Sequence, residues 1–191
     1  MTGDFPDKFN KLAERLKRGD RRAASEIFDH WHPKIFAFFL RKTGDRQGAE
    51  DLAQDIFIKV LTRIETFEPK TGAFSAWIWG ISKNALIDHY REKKAIRFSE
   101  MKGPEEDEDE VDFPGKEVSY EDKIEVKRVL AAAESLDPDE KELFDLHHIS
   151  GLSYSEISAI MGKSEAALRV YVHRLNLKLR KKLNEKIIPK I

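Results

Sequence analysis

Apolar residues recur at intervals of three and four along almost the whole chain. Alternation with a period of two, bounded by glycine or proline, is missing, so the pattern predicts an all-α protein. Phe9, Leu12 and Leu16 form a first stripe that stops near Gly19. Ala24, Ile27, Phe28 and Trp31 open a second helix that runs past Pro33 to Phe39 and Leu40 and ends at Gly44. A third covers about Gly48 to Phe67, with Leu52, Ala53, Ile56, Phe57, Val60 and Ile64 on one stripe, and the Pro69-Lys70-Thr71-Gly72 turn closes it. A fourth runs from about Ser75 to Lys94. Trp77 is expected in its core, although periodicity leaves open which of Trp77 and Trp79 faces outward.

From Phe98 to about Tyr120 periodicity disappears. Gly103-Pro104, Pro114-Gly115 and the run Glu105-Glu106-Asp107-Glu108-Asp109-Glu110 replace it, which predicts an extended or disordered acidic linker. Beyond it the helical pattern resumes over Glu121 to Ser135, Pro138 to His147, Ser153 to Met161 and Glu165 to about Lys186. The expected organisation is therefore two small helical domains, 1–97 and 121–191, joined by the acidic flexible linker 98–120.

Composition changes this picture mainly through charge. The formal net charge of -1 conceals segregation: acid collects in Glu100 to Asp112, and base in Arg169, Arg174, Lys178, Arg180, Lys181, Lys182 and Lys186. The absence of cysteine excludes disulfides, thiolate metal sites and cysteine nucleophiles, and fits a reducing compartment. Met1 to Lys17 carries neither an apolar core nor a cleavage pattern, and no apolar stretch approaches the ~20 residues that span a bilayer, so a cytoplasmic protein without membrane insertion is expected. No cofactor or metal site is expected. The six histidines lack ligand spacing, and His147 and His148, adjacent on a helix, are not expected to face one site.

The sharpest local signal is in the second module. Ser153-Tyr154-Ser155-Glu156 fits a capping box, Gly162 suits a tight turn and Ser164 can cap the next helix, which together describe a helix-turn-helix. Leu168, Val172, Leu175, Leu179 and Leu183 form the buried stripe of its second helix. The opposite face carries Ala166, Arg169, Val170 and His173, flanked by Glu165, Arg174 and Lys178. Small and polar residues in the first turns with cations along the flanks are what major-groove reading requires. Arg169 is the candidate base contact, and Arg174 and Lys178 the candidate phosphate contacts. The alternative is an ordinary helical hairpin with a solvated basic face.

The first module offers two surfaces. On the third helix Asp51, Gln54, Asp55 and Ile58 share a face in which acid runs into an outward isoleucine, as suits a protein partner bearing basic residues; a solvated face with one stray isoleucine is the plain alternative. On the fourth, Asn84, Asp88 and Arg91 lie beside Lys83, Ile87, Tyr90 and Lys94, mixing cations, amide and aromatic as single-stranded nucleic acid demands. The preceding stretch from Phe67 to Phe74 contains Lys70, Thr71 and Gly72, and its Gly72 and Ala73 are expected to allow the close approach of an extruded base.

Ala49-Glu50-Asp51-Leu52-Ala53-Gln54-Asp55-Ile56-Phe57, Phe74-Ser75-Ala76-Trp77-Ile78 through Asn84 to Arg91, Gly151-Leu152-Ser153-Tyr154-Ser155-Glu156-Ile157 and His173-Arg174 together resemble an extracytoplasmic-function (ECF) sigma factor of the sigma-70 family. The resemblance covers nearly the whole chain. It implies a sigma-2 domain whose Asp51, Gln54 and Asp55 face binds the clamp of core RNA polymerase. It also implies that the Phe67 to Phe74 loop and the helix with Lys83, Asn84, Asp88 and Arg91 capture non-template bases of the -10 element of promoter DNA. A sigma-4 domain would read the -35 element as duplex through the helix from Glu165 and contact the polymerase flap, while the linker threads toward the RNA exit path. Ala166-Ala167 and Val170-Tyr171 depart from the Gly-Thr pair and following Ser or Arg frequent in the family, so the resemblance does not specify the -35 sequence. An anti-sigma protein covering both faces is a further expected partner.

Such a chain would be no enzyme, and no P-loop or nucleophile motif is present. Two rivals remain: a helix-turn-helix regulator that binds duplex without polymerase, and an enzyme acting on nucleic acid.

Overall fold

The computed structural model describes residues 8–70, 72–99 and 120–185; every structural statement below concerns these. Thr71 and the acidic run Glu105 to Glu110, with most of the expected linker, lie outside them. The chain divides into two compact units, Met1–Asp112 and Phe113–Ile191. Among the described residues there is no strand, and no helix is long and apolar enough to cross a membrane.

The first unit contains α1 (Lys8–Lys17), α2 (Arg21–Thr43), α3 (Arg46–Arg63), a 3-10 turn (Ile64–Thr66) and α4 (Phe74–Ser99). Helix α2 packs on α1 and α3, and α4 on α1 and α3. Its core is aromatic: Phe9, Trp31, Phe39, Phe67, Phe74 and Trp79 are buried, with Phe9 and Trp31 edge-to-face at 5.6 Å. The helix ends are written locally. Asp20 caps α2 by accepting from the Arg22 amide at 2.9 Å, and its hydrogen bond from Arg15 holds its carboxyl below the usual range. Gly44, left-handed at φ 71°, closes α2.

Helix α3 starts earlier than its apolar stripe suggests because Asp45 is an N-cap, accepting from the amides of Gln47 at 3.0 Å and Gly48 at 3.1 Å. A Cβ on Gly48 would sit 2.6 Å from that carboxylate, so a side chain there would make the Asp45 carboxylate shift. Helix α4 outruns its expected end, carried to Ser99 by the good helix formers from Arg91 to Ala95. Phe98, Ser99 and Tyr120, expected in the linker, are thus helical.

Two expectations for this unit are corrected. Trp79, not Trp77, is the fully buried tryptophan of α4: it shares the inward stripe with Ile78, Ser82 and Leu86 and meets Phe38 at 4.9 Å. Trp77 lies on the flank, partly exposed, with its ring 5.5 Å from those of Phe67 and Phe74. Ala73 is buried as well, so it belongs to the packing of the loop rather than to its open side.

The second unit contains α5 (Tyr120–Ala133), α6 (Pro138–Phe144), a π-turn (Asp145–Ile149), α7 (Tyr154–Met161) and α8 (Glu165–Glu185). Helix α8 packs on α5, α6 and α7 around Leu143, Phe144, Leu146, Leu152, Ile157, Leu168, Val172, Leu175 and Leu179. Leu183, expected in the same stripe, is half-buried and lines a shallow apolar groove with Val126, Val129, Phe144 and Leu179. The π-turn changes what α6 was expected to do. The Ser150 amide reaches the Asp145 carbonyl, five residues back, at 2.9 Å, so the last turn before Ser150 is π-helical rather than α-helical. The rings of His147 and His148 lie 4.9 Å apart and pack on different neighbours, Tyr154 and Phe144.

Candidate nucleic-acid interface

The helix-turn-helix is built from its own neighbours. The Ser153 hydroxyl accepts from the Glu156 amide at 3.3 Å, and the Glu156 carboxylate accepts from the Ser153 amide at 2.7 Å, which starts α7. Gly162 ends it at φ 67°, its amide donating to the Ser158 carbonyl at 2.9 Å. Ser164 then accepts from the Ala167 amide at 3.3 Å, which starts α8. With Leu168, Val172, Leu175 and Leu179 buried, the outward face of α8 carries Glu165, Ala166, Arg169, Val170, His173 and Arg174, all exposed.

Two of the expected contacts on α8 are engaged within the unit. The guanidinium of Arg169 lies 4.5 Å from the centroid of the Tyr154 ring and 3.3 Å from the Glu165 carboxylate, so it is pre-set at the N-terminal end of the helix. Lys178 turns toward α6 and forms an ion pair with Glu140, which removes it from the centre of the outward face. Leu177, half-exposed at 51%, joins this face unexpectedly; it follows Ala166, Val170 and His173 at the spacing of one helix face, so the helical pattern did carry it. Tyr154, the platform for Arg169, had no such signal, because its partner lies on another helix.

The histidines behind this surface are tied to packing. His147 stacks on Tyr154 at 5.0 Å, while His148 lies 5.3 Å from Phe144 at the apolar groove. Burial, with His147 alongside, pushes the His148 imidazole below its ordinary value, and a hydrogen bond with Asn176 partly opposes this.

In the first unit Asp51, Gln54 and Asp55 are exposed together, and Ile58 is 59% exposed beside them. The apolar part of this surface is larger than expected, because Leu61 and Phe28 are also exposed. Phe28 contacts Phe57 at 4.7 Å, so the patch continues from α3 onto α2.

On α4 the side chains of Lys83, Asn84, Ile87, Asp88, Tyr90 and Arg91 are exposed along one side, with Arg91 3.7 Å from Asp88. The Tyr90 hydroxyl donates to the Lys42 carbonyl of α2, which fixes the ring while leaving part of its face open. Burial raises its pKa, which favours the protonated, donating phenol. Before α4, Lys70 is exposed and Gly72 half-buried, and a Cβ on Gly72 would meet open space. The flanking Phe67 and Phe74 turn inward with their rings 5.5 Å apart. The structure therefore brings Lys70, Gly72 and the exposed side of α4 into one unit and the outward face of α8 into the other.

Comparison with known proteins agrees with this division. Residues 27–96 match the model of Sigma-70 region 2, and residues 127–179 that of Sigma-70 region 4. The chain is 29% identical over 164 residues to the ECF RNA polymerase sigma factor BldN of Streptomyces coelicolor, covering 86% of this chain and 61% of BldN. It is 33% identical over 167 residues to SigE of Mycolicibacterium smegmatis, covering 85% of this chain and 63% of SigE. The chain thus spans less than two thirds of the length of either. With SigW of Bacillus subtilis it shares 29% identity over 181 residues, covering 92% of this chain and 96% of SigW.

Among solved structures, that of CnrH in complex with the cytosolic domain of CnrY matches with a TM-score of 0.57 and 23% identity, over 94% of this chain and 99% of CnrH. That of the sigma factor RpoE from Bartonella quintana, in complex with the anti-sigma factor NepR, matches with a TM-score of 0.56 and 23% identity, over 84% of this chain and 96% of RpoE. With regions 2 and 4 in order and more than half of its residues inside them, the chain belongs to the sigma-70 family, in its extracytoplasmic-function group.

Proposed function

We propose that the chain is a promoter-specificity subunit that directs core RNA polymerase to particular promoters and helps open the DNA, catalysing no reaction itself and working in the cytoplasm. One observation carries the reading: an acidic and apolar face on α3 and a capped helix-turn-helix with an outward polar and basic face occur on the same chain. Asp51, Gln54, Asp55 and Ile58 take the polymerase clamp, where exposed carboxylates steer a basic partner and the isoleucine supplies the desolvated centre. Lys70, Thr71 and Gly72, with Lys83, Asn84, Asp88, Tyr90 and Arg91, take the -10 element as single strand: cations for phosphate, the tyrosine face for stacking, amide and carboxylate for base edges.

Glu165, Ala166, Arg169, Val170, His173 and Arg174 take the -35 element in the major groove, with Lys178 at the margin. In this reading sigma-2 spans 1–97 and sigma-4 spans 121–191, and the acidic linker 98–120 keeps itself off DNA by charge. An anti-sigma protein that covers these faces is the proposed regulator. The exposed patch of Ile58, Leu61 and Phe28 supports this, as do the partner-bound forms of CnrH and RpoE.

The test is co-purification with core polymerase followed by transcription in vitro. Asp51→Arg combined with Asp55→Arg should abolish both polymerase association and promoter-specific transcripts; retained association would refute the assignment of that face. Tight duplex binding with no polymerase association would favour the regulator instead. A pull-down from the native host, under conditions where the factor is silent, should recover an inhibitory protein, and recovery of polymerase subunits alone would count against it.

A further inference from the structure

Helix α1 precedes the residues that match Sigma-70 region 2, yet two of its polar side chains reach the stretch between α3 and α4. Asn10, 8% exposed, accepts through Oδ1 from the Phe74 amide at 2.7 Å, across 64 residues of chain. Lys17 donates through Nζ to the Phe67 carbonyl, across 50 residues, and its ammonium lies 3.6 Å from Glu14. Both ends of the stretch are therefore held by the same helix. The Phe9 ring of α1 adds an apolar contact, stacked 6.3 Å from Phe74.

The need for the first contact is legible at Ala73. Its carbonyl accepts from the Trp77 amide at 3.2 Å, so it occupies the N-cap position of α4, and alanine has no side-chain acceptor for the orphan amides of the first turn. Asn10 supplies the acceptor from outside. Lys17 does the converse at the other end, where Phe67 leaves the 3-10 turn with its amide bonded to Ile64 at 3.0 Å and its carbonyl turned to α1.

We infer that Asn10 and Lys17 are positioning residues for base capture. By fixing the two ends of the Phe67 to Phe74 stretch they set the distance between Lys70 and Gly72 and the exposed side of α4, and so set selectivity for the extruded base. A pocket for a flipped base discriminates only if its walls are pre-placed to within a fraction of an ångström, and a loop held at neither end would have to be ordered on binding. The inference rests on the proposed capture of a single-stranded base by this unit.

The experiment uses the full chain as wild type, Asn10→Ala, Asn10→Asp and Lys17→Met. The probes are labelled single-stranded oligonucleotides selected on the wild type from a random pool, with a single-base substitution at each position. In Asn10→Ala the preference at the most discriminated position should fall by about tenfold, the scale of one mismatched base. Its salt dependence and duplex binding should stay unchanged, because the phosphate contacts remain. Asn10→Asp keeps the acceptor and should restore the preference; Lys17→Met keeps the alkyl stem and should lower it. Hydrogen exchange gives an independent readout: the Phe74 amide should exchange faster in Asn10→Ala and not in Asn10→Asp.

Should Asn10→Ala fail to fold, Lys17→Met decides. Wild-type selectivity in both Asn10→Ala and Lys17→Met overturns the inference and leaves base capture standing. A wild type that shows no base preference at all overturns base capture and the inference with it.

Discussion

The two surfaces proposed to read DNA are bounded by different kinds of bond. On the second unit the bonds that bound the turn before α8 join near neighbours, Ser153 with Glu156, Gly162 with Ser158 and Ser164 with Ala167, while the Lys178–Glu140 pair ties α8 to α6 across 38 residues. On the first, the stretch before α4 is held by bonds that span 64 and 50 residues, and Tyr90 on α4 is held by one that spans 48. The difference suits what each surface is proposed to read. Duplex DNA is a regular object, and a single rigid helix set at the right angle can lie in its groove. A base taken out of the stack must be enclosed, and the walls of an enclosure come from parts of the chain that meet only after folding.

The strongest way to break this comparison is to remove a ring from the long-range assembly. Phe74→Ala should cost about 3–5 kcal/mol, the usual range for a buried phenylalanine, and should unfold the first unit without touching the second. The three tryptophans, Trp31, Trp77 and Trp79, all lie in the first unit, so indole fluorescence follows it alone while far-UV circular dichroism follows both. The tryptophan transition should move to lower denaturant, with a residual helical transition left behind. A single shared transition would mean that the units are not independent.

The local assembly should be damaged less. Gly162 sits at φ 67°, and a Cβ there would meet nothing within 4 Å, so Gly162→Ala adds no clash and costs only the left-handed backbone, about 1 kcal/mol. That loss should appear in the circular dichroism transition and leave tryptophan fluorescence unmoved. A shift of the tryptophan transition would show that the turn supports more than its own helices.

How much of each surface was legible follows the same division. The capping box, the turn glycine and the outward face of α8 were readable because their partners are three or four residues apart. The acidic face of α3 was readable for the same reason, and Ile58 is exposed as the helical pattern required. What escaped is what depends on another element. Asn10 looks like one polar residue on an amphipathic helix until Phe74 is beside it, and Tyr154 like a cap neighbour until Arg169 crosses it. Periodicity left open which of Trp77 and Trp79 faces outward because it cannot see Phe38, the ring that Trp79 meets inside the unit. It carried α6 through His147 as an α-helix because a π-turn leaves no mark on spacing.

His148 should give the second unit a dependence on pH. The folded state holds the His148 imidazole below its ordinary value of 6.5, chiefly by burial, so as pH falls the unfolded chain takes up the proton first. The contribution is complete above about pH 6.5 and is lost as pH falls toward the depressed value. Denaturation compared at about pH 7.5 and about pH 5.5 should show the circular dichroism transition weakening at the acid end. His148→Gln, which keeps a partner for Asn176, should flatten this dependence, and an unchanged slope would assign it to another group.

The smallest effect concerns the proposed reading of DNA by α8. Val170 is 48% exposed on the outward face and has no polar atom in its side chain, so it cannot take part in hydrogen-bond readout. The base feature that an exposed valine suits is the 5-methyl group of thymine. Replacing thymine by deoxyuridine removes that methyl and nothing else, at a cost of about 0.8 kcal/mol or roughly fourfold in affinity. In a duplex selected on the wild type, one thymine should show this loss and the others none. Val170→Ser should bind both duplexes equally at that position, because its hydroxyl has no apolar surface to offer the methyl. If no thymine is sensitive in the wild type, or if the sensitive one stays so in Val170→Ser, the apolar contact belongs to another residue, and Leu177 on the same face is the next to substitute.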